Sequence, residues 1–457
     1  MAEMVSMTPT AGGQYHWVAI LAPKSLSKIL SYLAAWLTFI SWQASVAGTA
    51  FATVQTIQGM VSLGVADYMP TQWQIPLMCW GLILIGIFFN TYAARFLPQV
   101  ESFIMVIHIA GFFATIIPLL IWAPKTDPSV VFGVWRNDGG WDTQGVSFLV
   151  GLVGASYAFS GADSAAHMVE EVDNANLRVP QAMVWGVVLN GIMAVTVLVV
   201  LLFCLGDPES VLNTDFAFPA YQIYLNAVGN VGGTLALISI ILFNGTAVII
   251  SIIATSSRAT WAFSRDSGLP GWRTFAKLHP KSRLPLYCLY LTMIIGFVLS
   301  LIAFGSTLAF NDVVSLSLSS CYVTYMMGNG LLLWRRITGQ IRPYSPESTE
   351  LTNTVKTDSL SWGPWKVPGL LGILVNVIGL VFLFVVTIFS FFPTGVQPDP
   401  SLMNWSVFMF GVTMLFSVAW YVIAGHKDYD GPRVEFDLLR EEAVVSFEKG
   451  SDTGAAL

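Results

Sequence analysis

Ten long apolar stretches alternate with shorter polar segments along the chain, and each is long enough to form a membrane-spanning helix. A helix rises about 1.5 Å per residue, so roughly 20 apolar residues cross the hydrocarbon layer of a bilayer. Gly and Pro clusters separate several of the stretches. The predicted spans are 27–52, 74–93, 99–122, 145–170, 182–205, 232–258, 286–304, 312–334, 368–392 and 402–424.

The composition supports an all-α integral membrane protein. Of the 457 residues, 55% are hydrophobic and only 11% are Asp, Glu, Lys or Arg, whereas soluble domains carry about 25% charged residues. The four cysteines lie inside apolar runs and have neither the spacing of a disulfide framework nor that of a metal site. We therefore expect a single membrane domain over residues 1–457, with the lipid bilayer as its surroundings.

The distribution of basic residues predicts the orientation. With the N-terminus in the cytoplasm, 19 of the 21 Lys and Arg residues fall on the cytoplasmic side, and only Lys125 and Arg136 fall outside. Cytoplasmic loops of membrane proteins carry such an excess of basic residues. The expected parts are a cytoplasmic segment, core spans, a cytoplasmic loop, two C-terminal spans and a polar, mostly disordered cytoplasmic tail, at 1–26, 27–335, 336–367, 368–424 and 425–457.

The predicted span 145–170 contains a polar interruption. Its apolar part, GVSFLVGLVGASYAF, is too short to cross a bilayer, so the crossing must continue through SGADSAAHM and place Asp163 deep in the membrane. A carboxylate at that depth costs a few kcal/mol and is functional by default. Ser160-Gly161 favours an unwound turn, which membrane proteins tolerate where it lines a cavity. The alternative is a packing glycine and an Asp bonded within the bundle.

Four stretches resemble one family of membrane transporters. AFSGADSAAHMVEEVDNANLRVPQAM (158–183) resembles the broken sixth helix and following loop of the amino acid–polyamine–organocation transporters, in particular their fungal branch for amino acids, GABA and choline. Residues 2–23, 256–287 and 311–336 resemble the loops after the family's second and eighth helices and its tenth helix. Ala162 and Val169 depart from residues common in the family.

The resemblance implies a fold of two inverted five-helix repeats followed by two further helices. It implies secondary active transport of a small amine-bearing solute (an amino acid, GABA, choline or a polyamine), with a proton as the coupling ion and alternating access around a broken helix at 159–163. Family members usually have twelve spans, and the ten spans here match the third to the twelfth. An N-terminally incomplete chain is therefore expected, and a non-transporting relative, such as a nutrient sensor or an inactive truncated product, is the alternative.

Several polar side chains are candidates for these functions. A gate of Glu170 and Glu171 with Arg178 or Arg258 is possible, but ordinary solvated charges at a helix end are the alternative. His167 follows Asp163 by one helical turn and either forms a proton-responsive pair with it or bonds a neighbouring span. The candidate substrate-binding residues, each with a packing role as the alternative, are Phe159, Ser160, Gly161, Ala162, Asp163, Gln43, Asn244 and Ser317.

The sequence lacks the motifs that are typical of other classes of protein. The phosphate-binding loop GxxxxGK[ST] and the nucleophile elbow GxSxG are absent, and the five histidines have no metal-ligand spacing. We therefore expect no enzymatic activity, no cofactor, no metal and no nucleic-acid partner. The expected location is the plasma membrane, with an organelle membrane left open.

Overall fold

The protein is a bundle of helices. The computed structural model describes residues 1–65, 67–214, 216–305, 307–345, 353–355, 359–396 and 403–433, apart from the side chains of residues 307–309 and 311. Within these ranges, eight helices are long and apolar enough to cross a membrane, and Gln144–Tyr157 is a shorter apolar helix. These findings confirm the predicted all-α membrane fold.

The elements are helices, apart from one pair of short strands, in the part of the chain that the structure describes. In chain order the helices are α1 (Ala2–Met7), α2 (Gln14–Leu21), α3 (Lys24–Gly64), α4 (Gln74–Thr91), α5 (Leu97–Trp122), α6 (Pro128–Gly133), α7 (Gln144–Tyr157), α8 (Ser164–His167), α9 (Ala175–Phe203), α10 (Pro208–Leu212), α11 (Ala220–Val228), α12 (Val231–Arg265), α13 (Trp272–Phe275), α14 (Leu286–Ser300), α15 (Thr307–Ile337), α16 (Gly369–Phe389), α17 (Ser406–Trp420) and α18 (His426–Asp428). A parallel pair of short strands, β1 (Ile341–Arg342) and β2 (Leu360–Ser361), lies between α15 and α16.

Each predicted span corresponds to a helix of the bundle. The first predicted span, 27–52, is the start of the much longer α3, which continues to Gly64. The predicted span 145–170 is divided into α7 and the single turn α8. Helix α15 covers the predicted span 312–334, although its many polar residues leave it outside the eight most apolar helices.

Helix α3 forms the centre of the bundle. It packs against α2, α4, α12, α14 and α15, and Ala34, Ala44 and Ala47 on it are fully buried. Added to Gly48, a Cβ atom would lie 3.0 Å from Cγ2 of Val314 on α15. Because lipid tails are as apolar as the side chains, close packing of small residues is a main source of helix association in membranes.

Polar side chains also link the central helices. Gln43 of α3 donates from Nε2 to Thr260 of α12 and to Thr292 of α14, each at 3.1 Å. Asn90 of α4 donates to the carbonyl of Ile250 in α12 at 2.8 Å. Hydrogen bonds of this kind contribute about 0.6 kcal/mol each in membrane bundles, so they fix the register of the helices more than they drive association.

The N-terminal segment is an integral part of the packed structure. All residues of α2 are buried, and α2 packs against α3 and α15 while α1 packs against α9. Glu3 of α1 accepts a hydrogen bond from Arg336 at the end of α15. The distribution of basic residues predicts a cytoplasmic position for residues 1–26 but does not predict these buried contacts.

The described residues of the polar segments after α15 and α17 pack onto the bundle. The side chain of Asn353 donates to the carbonyls of Met7 and Ser361 at 2.9 and 2.8 Å, and so ties the 336–367 loop to α1. Tyr429 is fully buried and donates to Ser31 at 2.9 Å. The predicted disorder of the tail concerns mainly residues 434–457, which lie outside the described residues.

The contact between α4 and α12 yields a stability prediction. At Gly86 a Cβ atom would lie 2.5 Å from Cδ1 of Ile253 and 3.3 Å from the carbonyl oxygen of Ile249. Gly86→Val should therefore force the helices apart and destabilise the protein by about 1–3 kcal/mol. The measurement is the apparent melting temperature of the purified protein in detergent.

Gly81 on the same helix provides the matched control. A Cβ atom there meets nothing within 4 Å, so Gly81→Val should leave the melting temperature nearly unchanged. Equal melting temperatures for the two variants would contradict the close packing of α4 on α12.

Candidate functional site

The helix break lies between α7 and α8. Turn hydrogen bonds replace the helical pattern there: the Ser160 amide donates to the Tyr157 carbonyl at 3.1 Å, and the Ser164 amide donates to the Gly161 carbonyl at 3.0 Å. Gly161 has φ +88°, a conformation that L-residues rarely adopt. The break therefore depends on glycine at this position and lies where the Ser160-Gly161 pair predicts it.

Asp163 ends the break and is fully buried. Its Oδ1 accepts a hydrogen bond from the Tyr325 hydroxyl of α15, and its Oδ2 accepts one from the Gln14 amide of α2. Both donors are neutral, so they solvate the carboxylate without compensating its charge. A buried charged group needs such hydrogen bonds because it has lost its water.

His167 lies one turn after Asp163 and is also buried. Its Nδ1 lies 2.8 Å from the Ala11 carbonyl oxygen, and since a carbonyl only accepts, Nδ1 carries a hydrogen. Its Nε2 lies 3.6 Å from Oδ2 of Asp163 and has no hydrogen-bond partner among the described residues. The indole of Trp42 packs edge-on against the imidazole at 5.7 Å between ring centroids.

The loop before α2 holds this histidine in place. Gly13 has φ +55°, and a Cβ atom on it would lie 2.9 Å from Cε1 of His167. Only glycine satisfies both the backbone conformation and the close approach of the ring. The sequence AGGQY therefore delivers the Ala11 carbonyl and the Gln14 amide to the buried pair, and neither contact was predicted from the sequence.

A cavity of about 320 Å³ lies beside the break, between α3, α12 and α15. Its size is at the lower end of the range for small-molecule sites. Hydroxyl groups and aromatic rings share its wall with the carboxylate. Its lining residues include Ser41, Trp42, Ser45, Thr49, Tyr157, Ser160, Gly161, Asp163, Ser251, Thr255, Ser317 and Cys321.

Four of the candidate substrate-binding residues meet at this cavity: Ser160, Gly161, Asp163 and Ser317. Ser317 donates to the Ser41 carbonyl at 3.0 Å and bonds the Ser45 hydroxyl, so it ties α15 to α3. Its hydroxyl thus has protein partners on the cavity wall.

The other candidates lie elsewhere. Phe159 and Ala162 face a groove toward α9, where Phe159 packs against Gly191. Gln43 is committed to its bonds with α12 and α14, and Asn244 is half-buried on α12 outside the cavity. The structure therefore brings together only part of the predicted set.

Two ion pairs lie between the 3-10 turn Val169–Glu171, which follows α8, and the C-terminal part of α12. Arg258 pairs with Glu171, one of the two partners proposed from the sequence. Glu170 pairs with Arg265 at 3.3 Å and also accepts a hydrogen bond from the Ala11 amide at 3.1 Å, while Arg178 is exposed. The side chains of Arg258 and Arg265 are only 11% and 8% exposed, so the basic partner of each pair is largely buried.

A second buried carboxylate, Asp266, follows α12. It accepts hydrogen bonds from the Tyr15 hydroxyl at 2.7 Å and from the Arg433 amide at 3.0 Å, which connects α2 to the segment after α18. Burial raises the pKa of Asp266 to about 6, although the nearby Arg265 opposes the shift. Burial lowers the pKa of His16, on the same helix as Tyr15, to about 3. Within the described ranges, no three His, Cys, Asp or Glu side chains are grouped as a metal site.

The chain is similar in sequence to fungal permeases and transporters. A family model described as amino acid permease matches residues 1–415. A candidate amino acid/polyamine transporter of Macrophomina phaseolina is 30% identical over 407 residues, which cover 89% of this chain and 86% of that protein. The choline transporter of Saccharomyces cerevisiae is 26% identical over 438 residues, covering 94% of this chain and 72% of that protein. An uncharacterised amino-acid permease of Schizosaccharomyces pombe is 27% identical over 446 residues, covering 97% of this chain and 78% of that protein.

The raised pKa of Asp266 yields a prediction about pH. The folded protein holds the proton up to about pH 6, whereas the ordinary value is 3.8. The contribution of this carboxyl to stability is therefore complete below about pH 4 and is lost as the pH rises through 6. Relative to the parent protein, Asp266→Asn should gain stability by up to about 3 kcal/mol as the pH rises from 4 to 7, measured from melting temperatures across that range.

His16→Gln is the control because its effect on stability should change with pH in the opposite direction. The buried imidazole contributes stability above its ordinary pKa of 6.5 and loses it as the pH falls toward 3. This variant should gain relative to the parent protein as the pH falls. A constant difference between parent and Asp266→Asn at all pH values would contradict the assignment to Asp266.

Proposed function

The chain belongs to the amino acid permease family, and from that premise we propose that it is a secondary active transporter for a small amine-bearing solute. The observation that carries the proposal is the buried Asp163 at a glycine-dependent helix break, on the wall of a cavity large enough for such a solute. Membrane transporters commonly place their solute at an interrupted helix near the middle of the bilayer.

The cavity wall suits a solute with a cationic nitrogen. Asp163 supplies a negative charge, and its neutral partners leave that charge uncompensated. Trp42 and Tyr157 supply aromatic rings on the same wall, which attract a cation even when it has no hydrogen to donate. An amino acid, GABA, choline or a polyamine meets this description, and the names of the relatives include amino acid, polyamine and choline transport.

The pair of Asp163 and His167 supports a proton as the coupling ion. Because Nδ1 of His167 donates to Ala11, its Nε2 carries a hydrogen only when the ring is charged. With an ionised Asp163 and a neutral His167, two acceptor atoms face each other at 3.6 Å in a buried site. One proton on either group removes that repulsion. The other titratable groups at the pair are Tyr325 and Cys321 of α15.

The proposed cycle alternates access around the break. In the present arrangement the ion pairs of Glu170 and Glu171 with α12 close one side. Release of α8 and the loop before α2 from α12 would open that side to the cavity. Protonation of the buried pair changes its hydrogen bonds to α2 and thus biases this opening.

The orientation of the chain forms part of the proposal. The 19-to-2 distribution of Lys and Arg places both termini and the 336–367 loop in the cytoplasm. The plasma membrane is the proposed location, since solute uptake by such a permease begins there.

Removal of the charge at position 163 tests the function. Asp163→Asn keeps the size of the side chain but removes the charge. We expect uptake of radiolabelled amino acids, GABA or choline into proteoliposomes to fall at least tenfold, equivalent to about 1.4 kcal/mol. His167→Gln should retain solute exchange but lose accumulation driven by a pH gradient.

The matched control is Asp312→Asn. Asp312 is another buried carboxylate, on α15 and away from the cavity wall, so its variant should transport normally. Near-normal, pH-driven uptake by Asp163→Asn would show that Asp163 serves only as a structural hydrogen-bond acceptor. Absence of uptake of every solute by the well-folded parent protein would instead favour a sensor without transport.

Accessibility labelling tests the orientation. A tag at 130–140, which extends from within α6 into the connection before α7, should react with an impermeant reagent on intact cells. A tag at 276–283, in the basic connection before α14, should react only after the membrane is permeabilised. Labelling of the second tag on intact cells would overturn the proposed topology.

A further inference from the structure

Glu101 on α5 lies next to the cavity beside Asp163. It belongs to the candidate membrane span Ala94–Trp122, where an ionisable residue is costly and commonly functional. Its Oε1 accepts a hydrogen bond from the Ser251 hydroxyl at 2.6 Å. Ser251 lies near the middle of α12 and lines the cavity. The Glu101 carboxylate is therefore one hydroxyl group away from the space that the candidate solute occupies.

The charge of Glu101 has no basic partner in the part of the chain that the structure describes. None of the ion pairs there includes Glu101, and its donor, Ser251, is neutral. The described lining residues of the cavity include Asp163 but no Lys, Arg or His. A cation in the cavity would thus have one carboxylate on the wall and a second one directly behind it.

Most hydroxyl groups of the cavity wall can only accept further hydrogen bonds. A hydroxyl has one hydrogen, and Ser251 directs it to Glu101, so the lone pairs of its Oγ remain available to a donor in the cavity. Four other wall hydroxyls donate to backbone carbonyls at 2.8 to 3.1 Å, those of Ser41, Ser160, Thr255 and Ser317. Three keep a hydrogen that can be donated to a solute, those of Thr49, Tyr157 and Ser164. Such a wall suits the N–H groups of an ammonium ion better than a carboxylate.

We propose that Glu101 is a specificity-determining residue, which through Ser251 makes the α12 side of the cavity a second site for a cationic nitrogen. One ammonium group of the solute bonds Asp163, and the other bonds Oγ of Ser251 in front of the Glu101 charge. The charged acceptor strengthens the chain of hydrogen bonds that passes through the Ser251 hydroxyl. The preferred solute is therefore a short diamine, an inference that rests on the proposed transport function and narrows its solutes.

The same arrangement disfavours solutes that carry a carboxylate. An amino acid or GABA brings one negative charge together with its ammonium group, and the second carboxylate behind Ser251 repels it. A monoamine escapes this repulsion but engages only one of the two protein carboxylates. Solutes of similar length should therefore bind in the order diamine, monoamine and amino acid, from the tightest to the weakest.

The test measures binding of 1,4-diaminobutane, n-butylamine and 4-aminobutyrate to the purified protein in detergent by isothermal titration calorimetry. The parent protein should bind diaminobutane at least tenfold more tightly than either of the others. Glu101→Gln keeps an acceptor for Ser251 but removes the charge. It should weaken diaminobutane binding at least tenfold, equivalent to about 1.4 kcal/mol, change butylamine binding less than twofold, and tighten 4-aminobutyrate binding about threefold.

Asp312→Asn is the matched control, because it removes a buried carboxylate outside the cavity wall and should leave all three affinities unchanged. Equal weakening of diaminobutane and butylamine by Glu101→Gln would show that Glu101 only supports the structure, and would overturn the proposal. The gain for 4-aminobutyrate cannot result from misfolding, so its absence in a variant of unchanged melting temperature would also contradict it. If the parent binds butylamine without an advantage for diaminobutane, this inference fails and the transport proposal stands. Binding of none of the three likewise overturns this inference, while the uptake assays decide the transport proposal separately.

Discussion

A charge buried in a membrane bundle must be hydrogen-bonded by the protein, and the arrangement around Asp163 follows from that requirement. The carboxylate is fully buried, so donors have to come from neighbouring elements. Tyr325 on α15 and Gln14 on α2 provide them. Because the two donors lie on different helices, any motion that separates α2 from α15 changes the solvation of Asp163. The hydrogen bonding of the buried carboxylate and the packing of the bundle are thereby linked.

Helix α2 connects Asp163 to a second buried carboxylate, Asp266. This carboxylate lies at the end of the bundle that the distribution of basic residues predicts to be cytoplasmic. Gln14 bonds Asp163, and Tyr15, the next residue, bonds the buried Asp266 at the end of α12. Consecutive residues on a helix point in directions about 100° apart, so one short helix contacts two buried carboxylates on different partners. Asp266 also bonds the Arg433 amide. The segment after the last long helix thus stabilises the element that holds the candidate site.

The polar residues of the bundle fall into two groups with different consequences. Gln43 is fully buried, and its amide nitrogen donates to threonines of α12 and α14, while its Oε1 has no hydrogen-bond partner among the described residues. Because an amide does not titrate, Gln43 is a fixed link between helices. Asp163 and His167 instead face each other across 3.6 Å without a direct hydrogen bond, and their interaction depends on one proton. A link made by groups that do not titrate keeps its hydrogen bonds at any pH, whereas a pair of titratable groups can change its hydrogen bonding with its protonation.

The lengths of the apolar runs predicted the number and order of the long helices, because each must bury or present to lipid a stretch of sufficient length, although α3 continues to Gly64 and not to residue 52. The sequence also placed the break at Ser160-Gly161 and singled out Asp163, since a glycine and a carboxylate interrupt an otherwise apolar run. The hydrogen-bond partners of Asp163 could not be predicted from the sequence. Gln14 lies 149 residues away and Tyr325 lies 162 residues away along the chain, and no local pattern marks either residue. The same holds for Gln43 and Asn244, which looked like binding residues in their spans. Only the packing of helices decides which face of a span meets the cavity and which meets a neighbour, because that choice depends on side chains distant in the chain.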